Sequence, residues 1–173
     1  MKLTVSAAAL LLAAAAPVAA AQSWMEYAYP ADFFSAAFPA APKVETVNYR
    51  SVDGCPVEAR IYSVLQDGGL FKMTVADLTD PALQESAVLD HAVKLLAQGS
   101  TIKVDIPHRI SRVYGRQLSL AAADGSYSSV AVFFHKRRLY QIEGTVLPGA
   151  GSTTSDAIRF QQSLAFTDDS TNR

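Results

Sequence analysis

Between Ser126 and Pro148 the chain passes from an unbroken apolar run into an alternating one, and the two patterns together predict the centre of the fold. Val130, Ala131, Val132, Phe133 and Phe134 are β-branched, small or aromatic, and too few for a helix. A run of that kind marks a strand covered on both faces. Beyond the charged tip His135-Lys136-Arg137-Arg138, the second run sets Tyr140, Ile142 and Val146 against Gln141, Glu143 and Thr145. Two strands joined by so short a polar segment predict an antiparallel hairpin.

The rest of the chain falls into place around that hairpin. Residues 24–29 and 33–38 read as short strands separated by Pro30, and the Pro/Ala-rich stretch 39–42 reads as an extended link. Residues 44–52, 56–65 and 70–78 alternate, with turns at Asp53-Gly54 and Asp67-Gly68-Gly69, and predict a meander. The period then changes to that of a helix. Val88, Leu89, Ala92, Val93 and Leu96 share one face over residues 81–98, with Asp80 as the cap, Pro81 in the first turn and Gly99 as the stop. Alternation returns at 101–106, where Ile102, Val104 and Ile106 are expected inward and Pro107 is expected to end the strand. A strand at 112–122 and a turn at Asp124-Gly125 lead into the central hairpin. A closing helix carrying Ala157, Phe160 and Leu164 on one face follows, capped by Thr153, Thr154 or Ser155, and 168–173 reads as a polar tail. Strands, helix, strands, helix is an α+β order: one domain over 22–173, an antiparallel sheet covered by helices.

The 173 residues suffice for one domain with a real core. Part of the apolar count is a targeting segment. Lys2 precedes an Ala/Leu run at 7–16, and Pro17 leads into Val18-Ala19-Ala20-Ala21, small residues suited to a signal peptidase. Residues 1–21 therefore read as a signal peptide cleaved after Ala21, with Ala20 as the neighbouring alternative. The run is short for a bilayer span, and no second one follows. Removing Lys2 from the 15 basic residues leaves 14 against 16 acidic ones, a net charge of −2. That balance gives no reason to expect nucleic acid as a partner. The single Cys55 excludes an internal disulfide, and the residues after Ala21 are Gln22-Ser23, where a lipid anchor would need cysteine. The reading is a soluble periplasmic or secreted protein.

Trp24, Tyr27 and Tyr29 lead into Phe33-Phe34-Ser35-Ala36-Ala37-Phe38-Pro39, which resembles the phenylalanine-serine-x-x-phenylalanine-proline start of small PsbP-like domains, a family named for an extrinsic protein of photosystem II. The strand at Arg138-Leu139-Tyr140 and the final helix Arg159-Phe160-Gln161-Gln162-Ser163-Leu164-Ala165-Phe166 resemble the ends of short exported bacterial members. The resemblance spans most of 24–166 in element order and rests largely on core and turn positions. It implies an antiparallel sheet sandwiched by helices and a non-enzymatic accessory or binding role. It carries over no functional residue and no photosystem partner.

Local signatures of chemistry are sparse. No Gly-x-Ser-x-Gly turn occurs, and Gly149-Ala150-Gly151-Ser152 lacks that spacing. Cys55 reads as a small residue at a strand start. His91, His108 and His135 have no second ligand at a familiar metal spacing, and the neighbours Asp90 and His91 point different ways on a helix. No catalytic, metal or cofactor residues are assigned. The basic positions stand out more. Arg109, Arg112 and Arg116 cluster, and Lys136, Arg137 and Arg138 form a second run. If the two meet they form a positive patch suited to a carboxylate, phosphate or acidic protein. Charged strand ends are equally an ordinary guard against sheet-to-sheet association. The aromatics at 24–34 fit core packing better than a ligand pocket. The reading that results is a non-catalytic exported binding or accessory module, engaging an unknown protein or small anion through an Arg-rich edge. Two alternatives stay open: a hydrolytic enzyme with a site assembled from distant residues, and a carrier of a small apolar or metal ligand.

Overall fold

A computed structural model describes residues 24–167, so the expected signal peptide (1–21) and polar tail (168–173) lie outside the described residues. The described chain runs β1 (Met25–Tyr29), a 3-10 turn (Pro30–Asp32), β2 (Phe34–Phe38), β3 (Lys43–Arg50), β4 (Pro56–Gln66), β5 (Gly69–Asp77) and α1 (Glu85–Leu96). It continues β6 (Ser100–Ile110), β7 (Val113–Ala122), β8 (Tyr127–His135), β9 (Arg138–Val146), α2 (Thr154–Gln162) and β10 (Ala165–Phe166). Seven strands form one antiparallel sheet in the order β3-β4-β5-β9-β8-β7-β6, and β1-β2-β10 form a small second sheet. The fold is α+β and mostly antiparallel strand. No helix among the described residues is long and apolar enough to cross a membrane.

The central hairpin pairs as its pattern predicts, with Phe133 opposite Tyr140 and Ala131 opposite Ile142. Val130 to Phe133 are all buried because successive side chains enter different cores. Ala131 and Phe133 join Phe34, Phe38, Phe71, Tyr140, Ile142 and Phe160 under α2 and the small sheet. Val130 and Val132 join Val88, Leu89, Ala92 and Val93 of α1 on the opposite face. Burying a side chain of this size contributes about 1.5–3 kcal/mol, so the double burial explains why β8 has no polar face. Thr153 caps α2 in a full capping box with Asp156, and Ala157 of that helix lies directly over Gly144 of β9. A Cβ on residue 144 would fall 2.7 Å from the Ala157 Cα and carbonyl oxygen. Gly144→Ala is therefore expected to lose about 1–3 kcal/mol by overpacking. The loss should read as a lower urea midpoint at unchanged slope.

Three expectations are corrected. The first helix begins at Glu85, capped by an extended Gln84, and not at Pro81. The Asp80 carboxylate accepts from the Ala82 N–H at 2.8 Å, a local turn that competes with helix formation and takes over the start signal. Pro107 does not end β6, which runs on to Ile110. β6 is an edge strand, where a residue without an N–H can turn its nitrogen to solvent. Ile102, Val104 and Ile106 are 40%, 39% and 47% exposed and do not point into a core. A bulge between Ile102 and Val104 puts Ile102 opposite Leu120 on the α1 face, while Val104 and Ile106 lie opposite Ser119 and Gln117 on the other. The helices pack over the middle strands, so both faces of β6 overhang. Cys55 lies where the sequence places it, at the start of β4, and is exposed there.

Candidate functional site

Both basic tips lie at one end of the large sheet, because β6–β7 and β8–β9 are adjacent hairpins running in the same sense. Their turns are Ser111-Arg112 and Lys136-Arg137, two strand spacings or about 10 Å apart. Lys136 and Arg137 have φ of 47° and 63°, the left-handed region that a two-residue hairpin turn of type I′ requires at both central positions. Neither is Gly, Asn or Asp, so the turn is held at a cost of about 1 kcal/mol or more per residue. Ser111 (φ 54°) and Phe33 (φ 54°) are strained at the same end.

Residues from the small sheet complete this end. Asp32, 3% exposed, closes the 3-10 turn and reaches between β4 and β9. Arg60 Nε donates to its two oxygens at 3.0 and 2.8 Å, and Arg60 Nη2 lies 2.7 Å from Oδ1. The Tyr62 hydroxyl donates to Oδ2, and Arg138 Nη1 approaches Oδ1 at 3.4 Å. Arg138 also donates to the Ala31 carbonyl at 2.8 Å, and the Tyr140 hydroxyl to the Asp32 carbonyl at 3.1 Å. Asp77 bridges the two arginines, 2.9 Å from Arg60 and 2.8 Å from Arg138. Burial alone would push the Asp32 carboxyl up. Hydrogen bonds from Arg60 and Tyr62, with the charges of Arg60 and Arg138, outweigh it and hold the group below the usual carboxylate range. Burial raises the pKa of the Tyr62 hydroxyl, and its hydrogen bond to Asp32 and then the Asp32 charge raise it further. With its oxygens taken by donors, Asp32 braces the small sheet against the large one and is no proton acceptor for a substrate.

The six basic residues separate into three kinds. Arg116 holds Asp105 in a forked contact and lies 2.6 Å from Asp90 of α1. Arg138 belongs to the Asp32 brace, with its guanidinium 5.1 Å from the centre of the Phe33 ring. These two are structural. Arg137 is intermediate: Nη1 donates to the Leu83 carbonyl at 3.3 Å, the guanidinium lies over Phe134, and Nη2 is buried without a hydrogen-bond partner. Lys136 is exposed, with Nζ 5.2 Å from the Phe33 ring centre. Arg109 stacks on Tyr114, itself 61% exposed, and Arg112 is exposed at the tip. Arg109 and Arg112 have no carboxylate partner among the described residues.

The histidines do not converge. His91 Nε2 lies 2.9 Å from the Arg50 carbonyl, His108 rests on Phe133, and His135 rests on Phe166. Burial lowers the His108 pKa. Among the described residues no group of three or more His, Cys, Asp or Glu is placed to hold a metal ion. The Asp53 carboxylate beside Cys55 raises the thiol pKa, so that thiol is a poor nucleophile at neutral pH. Gln161 is fully buried in α2, and neither of its amide atoms has a hydrogen-bond partner among the described residues. The brace residues Asp32, Arg60, Tyr62 and Asp77 were not legible as a unit. The one local signal was Arg60 sharing a strand face with Tyr62 and Val64, an awkward place for a charge without a partner. No protein-family model matches the chain, and no curated protein sequence matches it.

Proposed function

We propose that this chain is an exported, non-catalytic binding or accessory protein with a PsbP-like sandwich, released to the periplasm or beyond by cleavage near Ala21. It engages an acidic protein or small anion through the cationic end of its large sheet. The observation that supports this reading is the juxtaposition of the two basic tips, with Arg109 and Arg112 not neutralised by neighbouring carboxylates among the described residues. Stacking on Tyr114 holds the Arg109 guanidinium in a fixed plane, which favours bidentate contact with an oxyanion. Arg116 and Arg138 serve the surface indirectly, by locking α1 and the small sheet behind it.

The test compares the mature protein, residues 22–173, with an Arg109→Glu/Arg112→Glu double variant. Both residues are exposed, so the variant is expected to unfold at the urea midpoint of the parent within about 0.5 kcal/mol. Capture from periplasmic extract should retain an acidic partner on the parent at low salt. That partner should be lost from the variant and weakened as salt rises through the Debye regime of about 0.1 M. A partner retained equally by both, or binding indifferent to salt, would remove the cationic end from consideration.

A further inference from the structure

The two edges of the large sheet are built differently, and the difference points to self-association. At β6 the edge carries Pro107, a bulge beside Lys103 and alternating charges, all devices that discourage a further strand. β3 carries no proline or bulge. Its eight residues pair with β4 in one unbroken register, and Val44 and Val47 are 50% and 36% exposed on its two faces.

The orientation of the β3 backbone follows from its turn. The Ser51 N–H donates to the Cys55 carbonyl at 2.9 Å, and this pair continues the register of Arg50 with Pro56. Odd-numbered residues therefore face β4, and Val44, Thr46, Asn48 and Arg50 present their N–H and C=O groups outward. The Arg50 carbonyl is already met by His91 Nε2 at 2.9 Å. The outward groups of Val44, Thr46 and Asn48 have no strand beside them among the described residues.

We propose that β3 pairs with β3 of a second copy, antiparallel about a twofold axis at Thr46, joining the two large sheets through these backbone groups. In this register Val44 lies opposite Asn48 of the second copy, and Thr46 lies opposite itself, a favourable cross-strand pair. Glu45 meets Val47 and Lys43 meets Tyr49, so no like charges stand directly opposite. The next pair outward would be Arg50 with Pro42. There the carbonyl is taken and the proline has no N–H, so only one of the pair's two hydrogen bonds can form and the full ladder stops at Val44 and Asn48. A register shifted toward Arg50 would set Val44 against that occupied carbonyl. The contact is isologous and closes at two copies.

Sedimentation of the mature protein over a concentration series should show a shift from protomer mass to twice that mass. Amide exchange at Val44, Thr46 and Asn48 should slow as concentration rises, while the rest of the pattern stays constant. Thr46→Glu places two carboxylates across the axis at an exposed position beside the chain's own Arg60, and should sediment as a monomer while keeping the parent's urea midpoint at dilutions where the parent is itself monomeric. Asn48→Pro removes one outward donor without touching the β4 ladder, and should weaken the dimer as well. A parent that stays monomeric throughout would overturn the proposal. So would a dimer that persists in both variants, or one that forms without protection at those three amides.

Discussion

Replacing Asp32 with alanine is expected to cost about 3–5 kcal/mol, the range for breaking a buried charge pair from one side. The reason is what remains. Arg60 loses its best partner, the Tyr62 hydroxyl loses its acceptor in a buried position, and Arg138 is left with Asp77, the Ala31 carbonyl and the Phe33 ring. Asp77 and Glu58, the other carboxylates near Arg60, are more exposed and stand in for Asp32 poorly. Urea unfolding of the parent and Asp32→Ala would measure the difference, and a loss under about 1 kcal/mol would show that the brace contributes little to holding the two sheets together. A double variant in which Asp32 and Arg60 are both replaced by leucine should be less destabilised than Asp32→Ala, because no buried charge is stranded.

The same carboxylate makes a pH prediction with a definite sign. Its folded pKa lies below the ordinary value, so the folded state binds the proton less readily than the unfolded chain. Its contribution is fully present above about pH 4 and is lost as the pH falls through the folded pKa. The parent should therefore lose stability on acidification below about pH 4 more steeply than Asp32→Ala does. Parallel curves in that window would sink the assignment.

Phe160→Ala is the second large effect, expected at about 3–5 kcal/mol. Phe160 is fully buried, and its ring centre lies 4.8 Å from that of Phe38, 5.5 Å from Phe71 and 6.4 Å from Trp24. Those partners come from β2, β5 and the entry to β1, so this ring is where α2, the small sheet and the large sheet meet. Truncation leaves a cavity that none of the three can fill without moving the other two. Trp24 reports on the site directly, since Arg159 of the same helix lies 4.9 Å over its ring. Its near-ultraviolet signal should weaken in the variant under conditions where the far-ultraviolet spectrum is retained.

The candidate site shows how far local reading reaches. The two basic runs were visible as runs, and their common end follows from hairpin connectivity. Their division into braces and surface groups was not visible. Arg116 is committed because Asp105 and Asp90, 11 and 26 residues away, are carried to it by β6 and α1. Arg138 is committed because Asp32, 106 residues away, folds back onto β9. Ion pairs formed across such separations leave no trace in spacing. The two-residue strand β10 went unpredicted for a related reason, since it is defined by its pairing with Phe34 and Ser35.

By itself the sequence determined the local elements: the hairpin with its doubly buried first strand, the meander, the helical face at Val88 to Leu96, a cap for the last helix within Thr153 to Ser155, and the turns. Each of these depends on side-chain period and backbone preference within a few residues. Tertiary structure alone decided three things: which strands became edges, which arginines were neutralised, and which of the alternating apolar rows found a core. β6 makes the point: its Ile, Val and Ile alternate as an inward face should, but lateral position in the sheet left them outside both helices' cover. Hydrophobic period says which residues can share a face, and only packing says whether anything covers it.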